Sequence, residues 1–315
     1  MNGIVVAGST LVDEINILEE YPKEGRLTHI DSVSCSVGGL VPNVGIDIKR
    51  LDPTMPVYAL GKVGNDDKAD YLLNRLFENG IDVSGIKTSS VYGTGFTQVM
   101  SVIGGERTFF TYAGANADFG FGDIDFDSIN EKLFHLGYFM LLEKVDNGDG
   151  ERILKELKKR GIKTSIDFVS STKNDYRKVL PCLEYVDYLI VNELEAAGLC
   201  ETDETDIRTL AERLKQKGVC EGVIIHKEDR ACYLGNRYYE LNALVAPKNL
   251  FKGKTGAGDA FCAGCLFEIC SDSTPEKILE TGIRAAAASV TETSATDGVR
   301  TKKEIYELTQ NFKRR

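Results

Sequence analysis

A chain of 315 residues is long enough to bury a large core, either as one α/β domain or as one with a small appendage. Its net charge of -10 argues against nucleic acid or an anionic membrane as the main partner, yet leaves room for a phosphate held by local N–H groups. Its apolar runs fall short of a membrane span, and most of its eight cysteines sit inside apolar segments, which suggests reduced, buried thiols in a cytoplasmic protein.

Residues 4–7 form an apolar run with no basic segment before it, so a first β-strand is expected rather than a targeting signal. A helix is expected over 39–50. On either side of it the sequence alternates: Thr97, Val99, Ser101 and Ile103 lead into Gly104-Gly105, and a second run follows from Arg107 to Thr111. Two glycines between alternating runs signal a hairpin. These pieces predict a small sheet projecting from the main domain, to cover a substrate, to form a dimer interface, or both.

From about residue 120 strands and amphipathic helices take turns. The pattern predicts strands over 133–140, 163–168, 185–191 and 222–226, with helices over 150–160 and 205–217 between them. Such a rhythm, with Gly161 and Gly218 at the helix exits, predicts a parallel sheet covered on both faces. Near the end, the alanine run 285–288 lies in a helix expected to begin near Pro275 or Glu280. Such a run lets a helix approach a flat ligand, although tight packing alone would also explain it.

The stretch Thr255-Gly256-Ala257-Gly258-Asp259 carries the most chemistry. Three small residues leave backbone N–H groups uncovered just where an apolar helix over 260–269 begins, which makes an anion hole for a phosphate. Asp259 then has two readings: a general base that takes a proton from an attacking hydroxyl, or a plain helix N-cap. Other motifs fail. Gly253-Lys254-Thr255 lacks the glycine that a P-loop needs at position 248, which is Lys, and a dinucleotide fingerprint would need glycine at 261, which is Phe. Cys262-x-x-Cys265 has no second pair, and His29, His135 and His226 lie far apart, so neither a zinc site nor a His-centred triad is expected.

Several separated elements point one way: Gly38-Gly39-Leu40-Val41-Pro42-Asn43, Gly61 to Asp66, Gly105-Glu106-Arg107-Thr108, Gly114-Ala115-Asn116, Asn192-Glu193-Leu194-Glu195, and Thr255 to Asp259. In this order and spacing the chain closely resembles the ribokinase-like (PfkB) family of carbohydrate and nucleoside kinases, from Gly8 to about Val299. The resemblance implies a single domain over 1–315, with a three-layer α/β/α mostly parallel sheet and a projecting lid formed by about 13–37 and 93–113. It implies a kinase that moves the γ-phosphoryl of ATP to a hydroxymethyl group of a small sugar or nucleoside. Asp259 matches the family's base, and Gly256, Ala257 and Gly258 its anion hole. Asn192 and Glu195 match the pair that organises Mg²⁺ and the ATP phosphates, mainly through water. Asp13, Gly38, Gly39 and Asn43 match the acceptor side. Glu143, taken as the end of a strand over 138–142, stands where some members bind the sugar; otherwise it is an ordinary exposed glutamate.

The resemblance also places Thr255, Lys227 and Arg284 with ATP, the last against the adenine. Arg107 comes from the lid, to meet an anionic group on the substrate or a neighbouring chain. Two departures stand out: Gly253 replaces the acid with which many members hold a monovalent cation, which puts a potassium requirement in question, and Ile225-His226-Lys227-Glu228 replaces the usual nucleotide-strand end. Lys254 would then put a positive charge near the phosphates. Partners are thus expected to be a sugar or nucleoside, ATP, and a second copy of the chain through the lid. Two rivals remain: a catalytically weak sugar- or nucleotide-binding sensor, and a kinase for a sugar phosphate or acid sugar.

Overall fold

Residues 3–102, 107–169 and 175–315 are described by the computed structural model, and the Gly104-Gly105 turn expected from the sequence lies outside them. Strand β1 (Ile4–Gly8) leads into β2 (Leu11–Leu18) and β3 (Ile30–Gly38), then helix α1 (Leu40–Leu51), β4 (Val57–Leu60) and the short β5 (Lys62–Val63). Helix α2 (Asp67–Glu78), the short β6 (Lys87–Thr88), β7 (Gly95–Val102) and β8 (Arg107–Tyr112) follow. Next come β9 (Leu133–Phe139), α3 (Gly150–Lys159), β10 (Lys163–Phe168), β11 (Tyr188–Asn192), α4 (Glu193–Leu199), α5 (Ile207–Gln216) and β12 (Gly222–His226). Two antiparallel strands, β13 (Arg230–Leu234) and β14 (Tyr238–Asn242), and the short β15 (Leu244–Val245) lead to α6 (Ala257–Cys270), α7 (Pro275–Ser289), α8 (Lys302–Thr309) and β16 (Lys313–Arg314).

The main sheet has the order β14-β13-β12-β11-β10-β9-β1-β4, parallel from β12 to β4. Parallel neighbours need crossovers, and the crossing helices cover both faces, so the strands are mostly apolar. β1 shows the consequence residue by residue. Ile4 and Val6 pack into the layer of α1, α2, α6 and α7, while Val5 and Ala7 pack into the layer of α3, α4 and α5. Each of these isoleucine and valine side chains contributes about 1.5–3 kcal/mol by leaving water. The result is the three-layer α/β/α arrangement expected from the rhythm of the sequence.

A second sheet, in the order β3-β2-β7-β8, contains the segments expected to form the lid. Its root is pinned by Asn116, whose Oδ1 accepts from the Thr10 N–H at 2.8 Å and whose Nδ2 donates to Thr10 O at 2.9 Å and Ala113 O at 3.0 Å. These bonds tie the exit of β8 to the exit of β1, so the lid springs from the C-terminal edge of the main sheet. Ile30 and Val33 on β3 and Phe109 and Phe110 on β8 are exposed.

Two expected elements differ. The strand expected over 138–142 stops at Phe139, because Tyr138 (φ 59) and Met140 (φ 80) are left-handed and Leu141 N–H closes a turn onto Tyr138 O. The strand expected from 185 begins at Tyr188, since Leu180–Tyr185 winds into 3₁₀ turns with proline near its start.

Candidate active site

The parallel strands end around one crevice, and α6 starts there. Gly256, its N-cap, has φ 77, and a Cβ at that position would lie 2.3 Å from Ala295 O. Only glycine meets both conditions. The turn aims the first N–H groups of a 14-residue helix at the crevice, which supplies a positive end without a cationic side chain.

Gly256 occupies the cap position, so Asp259 is not the cap: it stands three residues further on. Its carboxylate accepts from Asn43 Nδ2 at 2.9 Å and from the Tyr138 hydroxyl at 2.9 and 3.0 Å. Burial pushes its carboxyl up to about 7, helped by the neighbouring Asp167 carboxylate and opposed by the Tyr138 and Asn43 hydrogen bonds. A carboxylate in that range can take up a proton near neutral pH.

Asn43 sits in the first turns of α1, where its Nδ2 is committed to Asp259 and its buried Oδ1 has no partner among the described residues. A buried acceptor left open is costly unless a donor such as a hydroxyl arrives. Asp13 comes from the lid strand β2. Burial pushes its carboxyl up to about 6, against the Thr97 hydrogen bond. It rests on bare backbone: a Cβ on Gly38 would lie 2.4 Å from Asp13 Oδ2. Gly39 forms the N-cap of α1 beside it.

Asn192 ends β11 and caps α4. Its Oδ1 accepts from the N–H groups of Leu194 (3.0 Å) and Glu195 (2.9 Å), while Glu195 Oε2 accepts from Asn192 N–H at 3.0 Å. This reciprocal box fixes both side chains and keeps the buried Glu195 in the crevice wall. Two cavities meet at the glycine turn. The larger, about 550 Å³, runs past Lys227, Lys254 and Phe261 to an apolar wall of α7. The smaller, about 250 Å³, holds Asp259, Asp167, Tyr138 and Glu195, and the two share Asn192, His226, Lys254, Ala257 and Gly258. Burial pushes the His226 imidazole down to about 4, so it is neutral in that wall.

From β8, Arg107 Nη1 donates to Thr255 Oγ1 at 2.7 Å, so that strand reaches the residue just before the glycine turn. Two residues lie elsewhere than expected. Arg284 faces away from the cavity, bound to Glu280 (2.6 Å) and Thr309 (2.7 Å) and stacked on Tyr306. The α7 face that lines the cavity is Ile283, Ala286, Ala287 and Val290. Arg284 lies about 100° around the helix from Ile283, so the spacing of 3.6 residues per turn puts it on another face. Glu143 follows the turn after β9 and is exposed, since the strand meant to carry it ends at Phe139. Sequence reasoning missed Tyr138 and Asp167; their place at the carboxyl ends of β9 and β10 was the available signal.

The fold is ribokinase-like. Arabidopsis thaliana ribokinase, in a structure complexed with ribose and ATP, matches it with a TM-score of 0.84 at 21% identity over 98% of both chains. The model of the pfkB family carbohydrate kinases matches residues 1–302, and the chain belongs to that family of phosphotransferases. Among curated proteins it is 29% identical over 252 residues to the probable fructokinase-6, chloroplastic, of Arabidopsis thaliana, covering 75% of this chain and 62% of that one. It is 24% identical over 321 residues to a bifunctional ribokinase/ribose-5-phosphate isomerase A of Fructilactobacillus sanfranciscensis, covering 98% of this chain and 56% of that protein. The chain thus spans less than two thirds of the length of these two relatives. Among the described residues, no helix is long and apolar enough to cross a membrane.

Proposed function

We propose that the chain transfers the γ-phosphoryl group of ATP to a hydroxymethyl group of a small neutral sugar, with Asp259 as the general base. The observation that carries this reading is Asp259 itself, a near-neutral carboxylate held by Asn43 and Tyr138 one residue beyond the glycine turn. A hydroxyl seated between Asp13, Asn43 and Asp259 loses its proton to Asp259 as its oxygen attacks phosphorus. The Gly256–Gly258 amides meet the charge that develops on the transferred group. The adenine fits the apolar wall of the larger cavity, with Lys227 and Lys254 toward the phosphates. Asn192 and Glu195 are suited to hold Mg²⁺ through water, because their capping box fixes Asn192 in the wall that the two cavities share and Glu195 in the wall of the smaller one. When bound, that ion supplies positive charge to the phosphates.

The groups around Asp259 favour a neutral acceptor over a sugar phosphate: Asp13 and Asp167 are acidic, and the lid arginine is spent on the phosphate turn. The relatives named as ribokinase and fructokinase suggest a pentose or hexose. A sensor on the same fold would gain nothing from a near-neutral carboxylate beside an anion hole. Transfer of label from γ-labelled ATP to ribose or fructose, recovered as a sugar phosphate, is the test. Label found only as inorganic phosphate would overturn the proposal.

Three expectations follow from particular residues. A base must be deprotonated, so kcat/KM is expected to fall about tenfold per pH unit below about 7, and more steeply once Asp13 also protonates near 6. A flat profile from pH 5 to 8 would remove Asp259 from that role. Arg107→Ala removes a charged hydrogen bond that draws the lid onto Thr255, and is expected to lower kcat about tenfold while raising ATP hydrolysis relative to sugar phosphorylation. An unchanged ratio of ADP to sugar phosphate would make the contact incidental. The exposed Ile30, Val33, Phe109 and Phe110 of the lid favour a homodimer, which sedimentation velocity would reveal. Monomers at micromolar concentration would contradict it.

A further inference from the structure

Behind Asp259 three side chains from three elements converge: His135 on β9, Asp167 on β10 and Cys262 on α6, all buried. His135 Nε2 lies 3.6 Å from Cys262 Sγ and 3.5 Å from Asp167 Oδ2, and the three ligand atoms fall within 4.8 Å of one another. A tetrahedral cation with ordinary zinc bond lengths would hold its nitrogen and sulfur ligands about 3.6 Å apart, and its nitrogen and oxygen ligands about 3.4 Å apart. The two spacings from His135 Nε2 match those edges.

The surroundings suit a cation as well. Ser165 pairs with His135 across β10 and β9, and its hydroxyl stands 3.2 Å from His135 Nδ1. It can accept the Nδ1–H and so turn the Nε2 lone pair toward the cluster, as the outer partner of a metal-bound histidine does. Tyr138 N–H donates to Asp167 Oδ1 at 2.7 Å, which fixes that carboxylate and leaves Oδ2 for the cluster. Asp167 and Cys262 also line the 250 Å³ cavity, which gives the ion a way in and leaves a fourth position open to water.

We propose that His135, Asp167 and Cys262 form a binding site for a divalent cation of the zinc class, with its fourth position open to the cavity that holds Asp259. One sulfur and one imidazole nitrogen select zinc-like ions over Mg²⁺, which takes oxygen ligands and keeps its waters. Binding releases the thiol proton of Cys262 to solvent. The dication, the thiolate and the carboxylate then sum to zero, so no net charge is left in the core. Its ligands are different residues from the Asn192 and Glu195 pair, although both sets line the same cavity, and it stands whether or not the kinase reading does. If that reading holds, the ion would make Asp259 a weaker base, and micromolar zinc would slow phosphoryl transfer even with Mg²⁺ in excess.

Cobalt(II) titration tests the binding directly, because a thiolate–cobalt charge-transfer band and tetrahedral d–d bands report both the ligand and the geometry. Wild-type protein is expected to develop both bands at one equivalent and to retain one zinc per chain on dialysis. Cys262→Ser is expected to lose the charge-transfer band and to bind zinc at least about tenfold more weakly. Cys265→Ser is the control: it alters the same helix, but Cys265 Sγ faces Ile278 O on α7. It should keep both signals. If Cys262→Ser does not fold, Asp167→Asn is read in its place and should also weaken zinc binding. Equal bands in the Cys262→Ser and Cys265→Ser proteins, or no tetrahedral band in the wild type, would overturn the proposal.

Discussion

Asp259→Asn is expected to lower kcat by about 10²–10⁴-fold, the usual contribution of a positioned general base, with the KM values for sugar and ATP nearly unchanged. The substitution keeps the size of the side chain, and the amide oxygen can still accept from the Tyr138 hydroxyl or from Asn43 Nδ2. It cannot take a proton. Stability is not expected to fall, because the buried carboxylate it removes is repelled by Asp167. Steady-state kinetics beside a thermal melt separate the two effects. A kcat within a few-fold of wild type would mean that proton removal is not this residue's task.

Gly256→Ala is expected to lower kcat by about 10²–10³-fold, as the loss of one oxyanion donor does elsewhere. Alanine at φ 77 costs about 1–2 kcal/mol, and its Cβ would collide with Ala295 O. The turn must shift, and the N–H groups of Ala257 and Gly258 shift with it. Gly253→Ala is the comparison, since a Cβ there meets nothing within 4 Å. It should leave the rate nearly intact. Wild-type turnover by Gly256→Ala would show that the turn does not stabilise the transferred group.

Much of the fold was legible because burial imposes a period. β12 falls where the apolar run 222–226 put it, and α6 lies along the apolar run after Gly258, starting three residues before the expected 260. Of the small sheet, β7 was marked by alternation, and there Gly95, Thr97 and Val99 are buried with half-buried residues between them. What local pattern could not show was direction. Arg284 and Ile283 are neighbours in sequence but lie on different faces of α7. Two left-handed residues end β9 early, and no proline or glycine at 138 or 140 announces that turn.

The candidate site was legible where glycines and short motifs fix a turn, as at Gly256–Gly258 and at the Asn192 cap. It was not legible where side chains converge from distant segments. Tyr138 lies 121 residues from Asp259 in sequence and Asn43 lies 216 away, and only the folded sheet brings both to one carboxylate. The cluster of His135, Asp167 and Cys262 is the extreme case. The histidines looked too dispersed for a metal, because the sequence does not show that β9, β10 and α6 pack side by side.

The most direct measurement is the initial rate of ADP release with Mg²⁺ and ATP, with and without acceptor, across ribose, fructose, their phosphates and a set of nucleosides. A neutral sugar kinase releases ADP in step with sugar phosphate formed, and only when a neutral sugar with a free hydroxymethyl group is present. No acceptor-dependent release, despite measurable binding of sugar or ATP, would contradict the kinase reading.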